Sequence, residues 1–214
     1  MTDVPFETLA ARLLPAFGPA GTDGSHDLSH IRRVWRNAAR IAATEPDCDV
    51  ELLAAAVLLH DCVAVEKNSP LRSQASRLAA ARAREVVADL GWPPERLDGL
   101  VHAIEAHSFS AAIPPRTTEA RILQDSDRLD AIGAIGIARC FYVGGRMGSA
   151  LYDPADLDAT GRALDDRRYA FDHFAAKLFR LSDGFLTAEG QRMAAGRMAA
   201  MQHFVAAFRA EAAG

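Results

Sequence analysis

Apolar residues recur every three or four positions in one segment of this chain after another, a spacing that leaves little room for anything but a helical protein. Leu28, Ile31, Val34, Trp35, Ala38 and Ile41 form one such row. Leu97, Leu100, Val101, Ile104 and His107 form a second, and Met193, Ala194, Met198, Met201, Val205 and Phe208 a third. Alanine is abundant and β-branched residues are sparse, which favours helix over strand. Between the rows stand breakers: Gly18 to Gly24, Glu45-Pro46, Asn68-Ser69-Pro70, Gly91 with Pro93-Pro94, and Pro114-Pro115. The pattern predicts helices over about 5–17, 27–44, 49–61, 71–90, 94–107, 117–142, 169–181 and 187–211. Gly144 to Ser149 reads as a loop, and the stretch from there to about Arg167 has no assignable pattern. With 214 residues, no repeat and no linker, the expectation is an all-α fold, a single-domain helical bundle over 1–214.

Composition narrows the partners. The formal net charge of -4 carries no basic excess for nucleic acid, although a local cluster of Lys and Arg would suffice for a small phosphorylated ligand. No apolar run has the length of a membrane span. Asp3 and Glu7 stand where a signal peptide would be basic, so a cytoplasmic location is expected. Cys48, Cys62 and Cys140 are odd in number and have no paired spacing; they read as small core residues in a reducing compartment.

Three helices carry groups that an apolar row should not contain. Asp127 shares a four-residue spacing with Leu123, Ala131 and Ile135. His60, with Asp61 beside it, follows Leu53 and Val57, and His26, Asp27 and His30 stand where the first apolar row begins. Burying an unpaired carboxylate costs several kcal/mol or forces it neutral. Singly, each has an ordinary explanation: a hydrogen-bonded core histidine, an Asp127 paired with Arg121 or Arg128, a polar helix end. Jointly they need several explanations, where one divalent cation taking imidazole and carboxylate ligands serves for all.

The order His30…His60-Asp61…Asp127 resembles the H…HD…D signature of the HD-domain superfamily of metal-dependent phosphohydrolases. The blocks HDLSHIRRV, LLHDCVAVEKNSPLRSQAS, AIEAHSF and QDSDRLDAIGAIGIAR are similar to those of a small bacterial branch containing nucleoside triphosphate pyrophosphohydrolases. The resemblance spans about Gly24 to Glu211. It implies an HD-type bundle with a metal-site core at about 24–142 and C-terminal helices over 169–211 packed on it. It also implies His30, His60, Asp61 and Asp127 as ligands of one divalent ion: manganese foremost, with iron, cobalt, nickel or zinc suited to the donors and magnesium less so.

On the same footing, Asp61 is expected to orient the attacking water as well. His107, on the inner row of its helix, is expected to act as general acid or phosphate donor. Lys67 and Arg72, just after the HD pair, are expected to meet the phosphate chain of a small phosphorylated substrate, with Lys177, four residues from His173, as a weaker candidate. His102 lies off the row of His107, which argues against a second metal. The Met and Phe residues of the last helix read as core or as the face of a homodimer. The expected reaction is hydrolysis of a nucleoside triphosphate to the monophosphate and pyrophosphate. The same ligands would also serve a phosphomonoesterase or a cyclic-nucleotide phosphodiesterase, and a metal-stapled nucleotide-binding module is the non-enzymatic alternative.

Overall fold

The computed structural model describes residues 4–16, 28–63, 65, 71–108 and 111–213. Its helices are α1 (Val4–Leu13), α2 (Leu28–Ala42), α3 (Val50–Leu59), α4 (Ala75–Val86), α5 (Pro94–His107), α6 (Thr118–Asp130), α7 (Gly133–Met147), α8 (Asp172–Ala176) and α9 (Ala188–Ala213). Among the described residues there is no strand, only one isolated bridge between Ala150 and Tyr169. The all-α architecture is as expected. No helix among these residues is long and apolar enough to cross a membrane. Contacts group the chain into two compact units, 1–127 and 128–214, dividing within α6.

The first unit is organised around α3. Asp49 caps it, its side chain accepting from the Leu52 N–H at 3.0 Å. From Leu52 to Leu59 every residue is buried. A helix apolar all round must be central, and α1, α2, α4 and α5 pack about α3. Fully burying a leucine contributes about 1.5–3 kcal/mol, so Leu53, Leu58 and Leu59 make this run a strong anchor for the residue at its end, His60. Phe6 of α1 stacks on Trp35 of α2 with ring centroids 5.0 Å apart. In the second unit α7 and α9 pack together, and Phe141, Phe171, Phe174, Phe204 and Phe208 form a connected aromatic cluster.

The helix expected over 71–90 is α4 flanked by 3-10 turns at Arg72–Gln74 and Ala88–Leu90, and the first helix passes into a 3-10 turn at Leu14–Ala16; larger differences lie further along. The helix predicted over 117–142 is two helices broken at Ala131–Ile132, with Gly133 at φ 74°. A Cβ at Gly136 would run into the Ala131 carbonyl, so the glycine permits the tight break. Gly144 to Met147, expected as loop, completes α7, which ends at Gly148 with φ 75°. Helical glycine costs about 1 kcal/mol against alanine, but a Cβ at Gly144 would press on Ala170 Cβ at 2.9 Å, so close packing explains it. The helix expected over 169–181 is only α8 followed by a 3-10 turn, Leu178–Ser182.

Candidate metal centre

Four helices of the first unit deliver the candidate residues. His30 lies in the first turn of α2 and is buried. His60 is the C-cap of α3, where the apolar run ends, and is buried, while Asp61 beside it is exposed at 40%. His107 is the last residue of α5, which opens with Pro94 in its first turn as proline prefers. Asp127 lies in α6, whose N-terminus is capped by Thr117 Oγ1 accepting from the Ala120 N–H at 3.2 Å. Asp127 is one third exposed, less deeply placed than its row position implied.

The donor atoms converge. His30 Nε2 and His60 Nε2 are 3.3 Å apart. Asp127 Oδ1 lies 3.6 Å from His30 Nε2 and 3.9 Å from His60 Nε2. Ligands about 2.1 Å from a common ion stand roughly 3.0 Å apart at right angles and roughly 3.4 Å at tetrahedral angles. The observed separations are those of a coordination sphere, slightly open. On its other side His60 Nε2 is 3.6 Å from Asp61 Oδ2, and Asp61 Oδ1 is 3.8 Å from His107 Nε2. Two overlapping groups able to hold a metal result: His30, His60 and Asp127, and His60, Asp61 and His107.

Hydrogen bonding sets the tautomers these roles require. His60 Nδ1 donates to the Val57 carbonyl at 2.8 Å, and His107 Nδ1 to the Ile104 carbonyl at 2.6 Å. Each ring thereby presents Nε2 to the cluster, with its lone pair free in the neutral form. Burial holds the His60 imidazole below its ordinary pKa, against the raising pull of Asp61 and aided by His107. A neutral, inward-facing imidazole is what a divalent ion binds. The donor set fits a divalent cation.

The remaining expected residues fall as follows. Lys67 lies outside the described residues, as do His26 and Asp27. Arg72 begins a 3-10 turn, Arg72–Gln74, and its side chain is outside the description. Lys177 is exposed and belongs to the second unit, where it caps α8 instead of continuing a helix with His173; His173 Nδ1 lies 2.8 Å from Asp166 Oδ2. His102 accepts from the Arg116 N–H at 2.9 Å, away from the cluster, as its position on α5 implied. The cysteines are free, with only Cys140 buried. Two buried amides were not singled out from sequence: Asn37, donating to the Ser126 carbonyl, and Gln124, donating to the Ala106 carbonyl. Their signal was available, since Asn37 follows His30 by seven residues on the same inward stripe of α2.

The profile of the family described as HD domain matches residues 27–132. The chain is 33% identical over 184 residues to YpgQ of Bacillus subtilis (strain 168), spanning 84% of this chain and 81% of YpgQ. The crystal structure of YpgQ superposes with a TM-score of 0.73 at 27% identity, over 98% of this chain and 97% of that one. YpgQ in complex with ADP matches at a TM-score of 0.69 and 28% identity, over 98% and 93% of the two chains. An HD-superfamily hydrolase from Bacillus thuringiensis matches at a TM-score of 0.69 and 28% identity, over 98% and 95%. The profile match encloses all five residues of the candidate centre, and YpgQ is similar along four fifths of its own length. The chain belongs to the HD-domain superfamily of metal-dependent phosphohydrolases.

Proposed function

We propose that the protein hydrolyses a nucleotide phosphoanhydride, converting a nucleoside triphosphate to the monophosphate and pyrophosphate with one divalent ion held by His30, His60, Asp61 and Asp127. The observation that carries this is the convergence of His30 Nε2, His60 Nε2 and Asp127 Oδ1. A nucleotide substrate draws support from the YpgQ structure containing ADP. His60 favours one ion over two: its Nδ1 is spent on Val57, so a single nitrogen serves both candidate groups. Manganese is the proposed ion.

When bound there, a divalent ion supplies Lewis acidity to a phosphoryl oxygen and acidifies water. The residues do the rest. Asp61, reachable from solvent, is suited to accept a hydrogen bond from the attacking water and fix its direction. His107, with Nδ1 anchored to Ile104, can hold a proton on Nε2 against Asp61 and give it to the departing phosphate oxygen. Lys67, Arg72 and Lys177 are the proposed phosphate cations; their alanine variants should raise KM for a triphosphate more than they lower kcat.

Release of pyrophosphate and orthophosphate from a nucleoside triphosphate panel, with Mn, Co, Ni, Zn or Mg and with chelator, tests the proposal. Metal-dependent pyrophosphate release, lost in Asp127→Ala, is expected. Orthophosphate from monophosphates, or linear product from cyclic nucleotides, would reassign the substrate. No turnover by metal-loaded protein would leave a binding module.

A further inference from the structure

Helix α6, which brings Asp127 to the centre, is tied on two sides by uncharged amides. Asn37 Nδ2 donates to the carbonyl of Ser126 at 3.1 Å, the residue before Asp127. Gln124 Nε2, one turn before Asp127, donates to the carbonyl of Ala106 at 2.8 Å, the residue before His107. Asn37, Gln124 and Ser126 are all buried. We infer that Asn37 and Gln124 are positioning residues, fixing the register of α6 against α2 and α5 so that the Asp127 carboxylate stays in reach of His30 and His60. This rests on the metal-site reading above.

Buried polar side chains need a reason, because each loses its hydration. Asn37 sits on the inward stripe of α2 with His30, Val34 and Ile41, where an aliphatic residue would pack at no such cost. Apolar packing alone lets a helix slide or turn slightly. A hydrogen bond to one named carbonyl is directional and selects one register. The Ser126 carbonyl, within α6, can accept the i+4 N–H with one lone pair and keep another for Asn37, while the Ala106 carbonyl lies in the last turn of α5, where helix carbonyls lack an intrahelical partner.

The amide is also the right chemical choice. A carboxylate there would compete for the cation, and a Lys or Arg would oppose it. Small displacements matter, because a site of this kind must be held to within about 0.5 Å. Asp127 stands to gain from the tie, since one third of its side chain is open to solvent, whereas His30 and His60 are buried.

The test uses metal-free full-length protein with Co(II) as probe, titrated against a chelator, and the visible cobalt spectrum as a reporter of ligand geometry. Asn37→Leu and Gln124→Met preserve approximate size and remove the amide. We expect Co(II) affinity to fall by about 10–100-fold in Asn37→Leu, the usual scale for partners of metal ligands, with an altered cobalt spectrum. Gln124→Met should show a smaller change of the same sign. Phe174→Leu, in the aromatic cluster of the second unit, should lower the melting temperature while leaving the cobalt spectrum unchanged.

If Asn37→Leu fails to fold, Asn37→Ser carries the same expectation. Variants that melt early yet keep wild-type affinity and spectrum would show the amides to be structural only, and would overturn the inference. Wild-type protein that binds no Co(II) would sink the metal-site reading itself, a separable result.

Discussion

The two compact units each contain a dense polar cluster, and the clusters are opposite in kind. In the second unit Asp172, 1% exposed, takes Arg162 Nη1 at 2.5 Å, Nη2 at 3.0 Å and the Asp165 N–H at 2.7 Å. Arg162 Nε faces Asp153 Oδ2 at 3.0 Å, and Asp156 receives the N–H groups of Thr160 and Gly161. Every carboxylate there meets donors. In the first unit the Nε2 atoms of His30, His60 and His107 and the carboxylate oxygens of Asp61 and Asp127 are turned toward one another, and the Nδ1 bonds of His60 and His107 leave their Nε2 as acceptors in the neutral ring. In the first arrangement the buried carboxylate is matched by donors, whereas the donor set of the second fits a divalent cation. The balance of donors and acceptors separates site from strut, where a count of charges would not.

The sharpest way to break this comparison is to remove one acceptor from the metal cluster. Asp127→Ala should lower divalent-metal affinity by more than about 100-fold, since loss of a ligand's mere neighbour costs 10–100-fold, and should abolish turnover. Metal-free protein should melt within about 2 °C of wild type, as for a partly exposed position without structural duty. Calorimetric titration and a thermal scan check both halves. A large loss of metal-free stability would mean that the cluster is a strut after all.

The mirror experiment is Arg162→Met. It strips the charged partner and two of three donors from buried Asp172, leaving only the Asp165 N–H, and an uncompensated buried charge is strongly destabilising. The melting temperature should fall by several degrees, more than for any substitution in the metal cluster, with metal affinity unchanged. An unaltered melting curve would remove the structural half of the comparison.

Much of the first cluster was legible because charge stands out against an apolar row. His30, His60, His107 and Asp127 were readable as polarity at helical spacing, Asp61 was named as the neighbour of His60 and through the family resemblance, and the structure brings their side chains into two overlapping groups. The supporting amides were harder to see, because Asn37 and Gln124 carry no charge and their partners are backbone carbonyls 89 and 18 residues away. The second unit was the less legible. Its Arg162 cluster lies in irregular chain without period, and the alanine-rich run after Asp127 hid the break at Ala131–Ile132. Gly133 and Gly136 were the clue, each needed by a conformation or contact that spacing does not encode.

A smaller effect should follow from metal removal. A ligand that binds only the folded state stabilises it by about 2.7 kcal/mol at a hundredfold excess over Kd. Chelator should therefore lower the wild-type melting temperature and leave Asp127→Ala unmoved. A parallel drop in both proteins would place the stabilising ion somewhere other than this cluster.

The smallest expected effect tests whether saturation, and not location, is the distinguishing property. Asp49 belongs to the same unit as the metal cluster but is saturated: Arg96 donates Nε to Oδ2 at 2.7 Å and Nη2 to Oδ1 at 2.8 Å, and the Leu52 N–H adds a third bond. Burial raises the Asp49 pKa, but the hydrogen bonds from Arg96 and Leu52 outweigh it, and the net position is below the usual carboxylate value. A depressed folded pKa means that the contribution is complete above the unfolded value, about 3.9, and is lost as pH falls through the folded one. Asp49 is 38% exposed, so screening limits the contribution to about 1 kcal/mol. Asp49→Asn keeps an N-cap acceptor and removes the charge. Its melting temperature should lie slightly below wild type near neutrality and converge on it in acid, with metal affinity unaffected. Melting curves that stay parallel from neutral pH into acid would show that the carboxylate charge does no such structural work, and that the Arg96 tie is an idle surface pair.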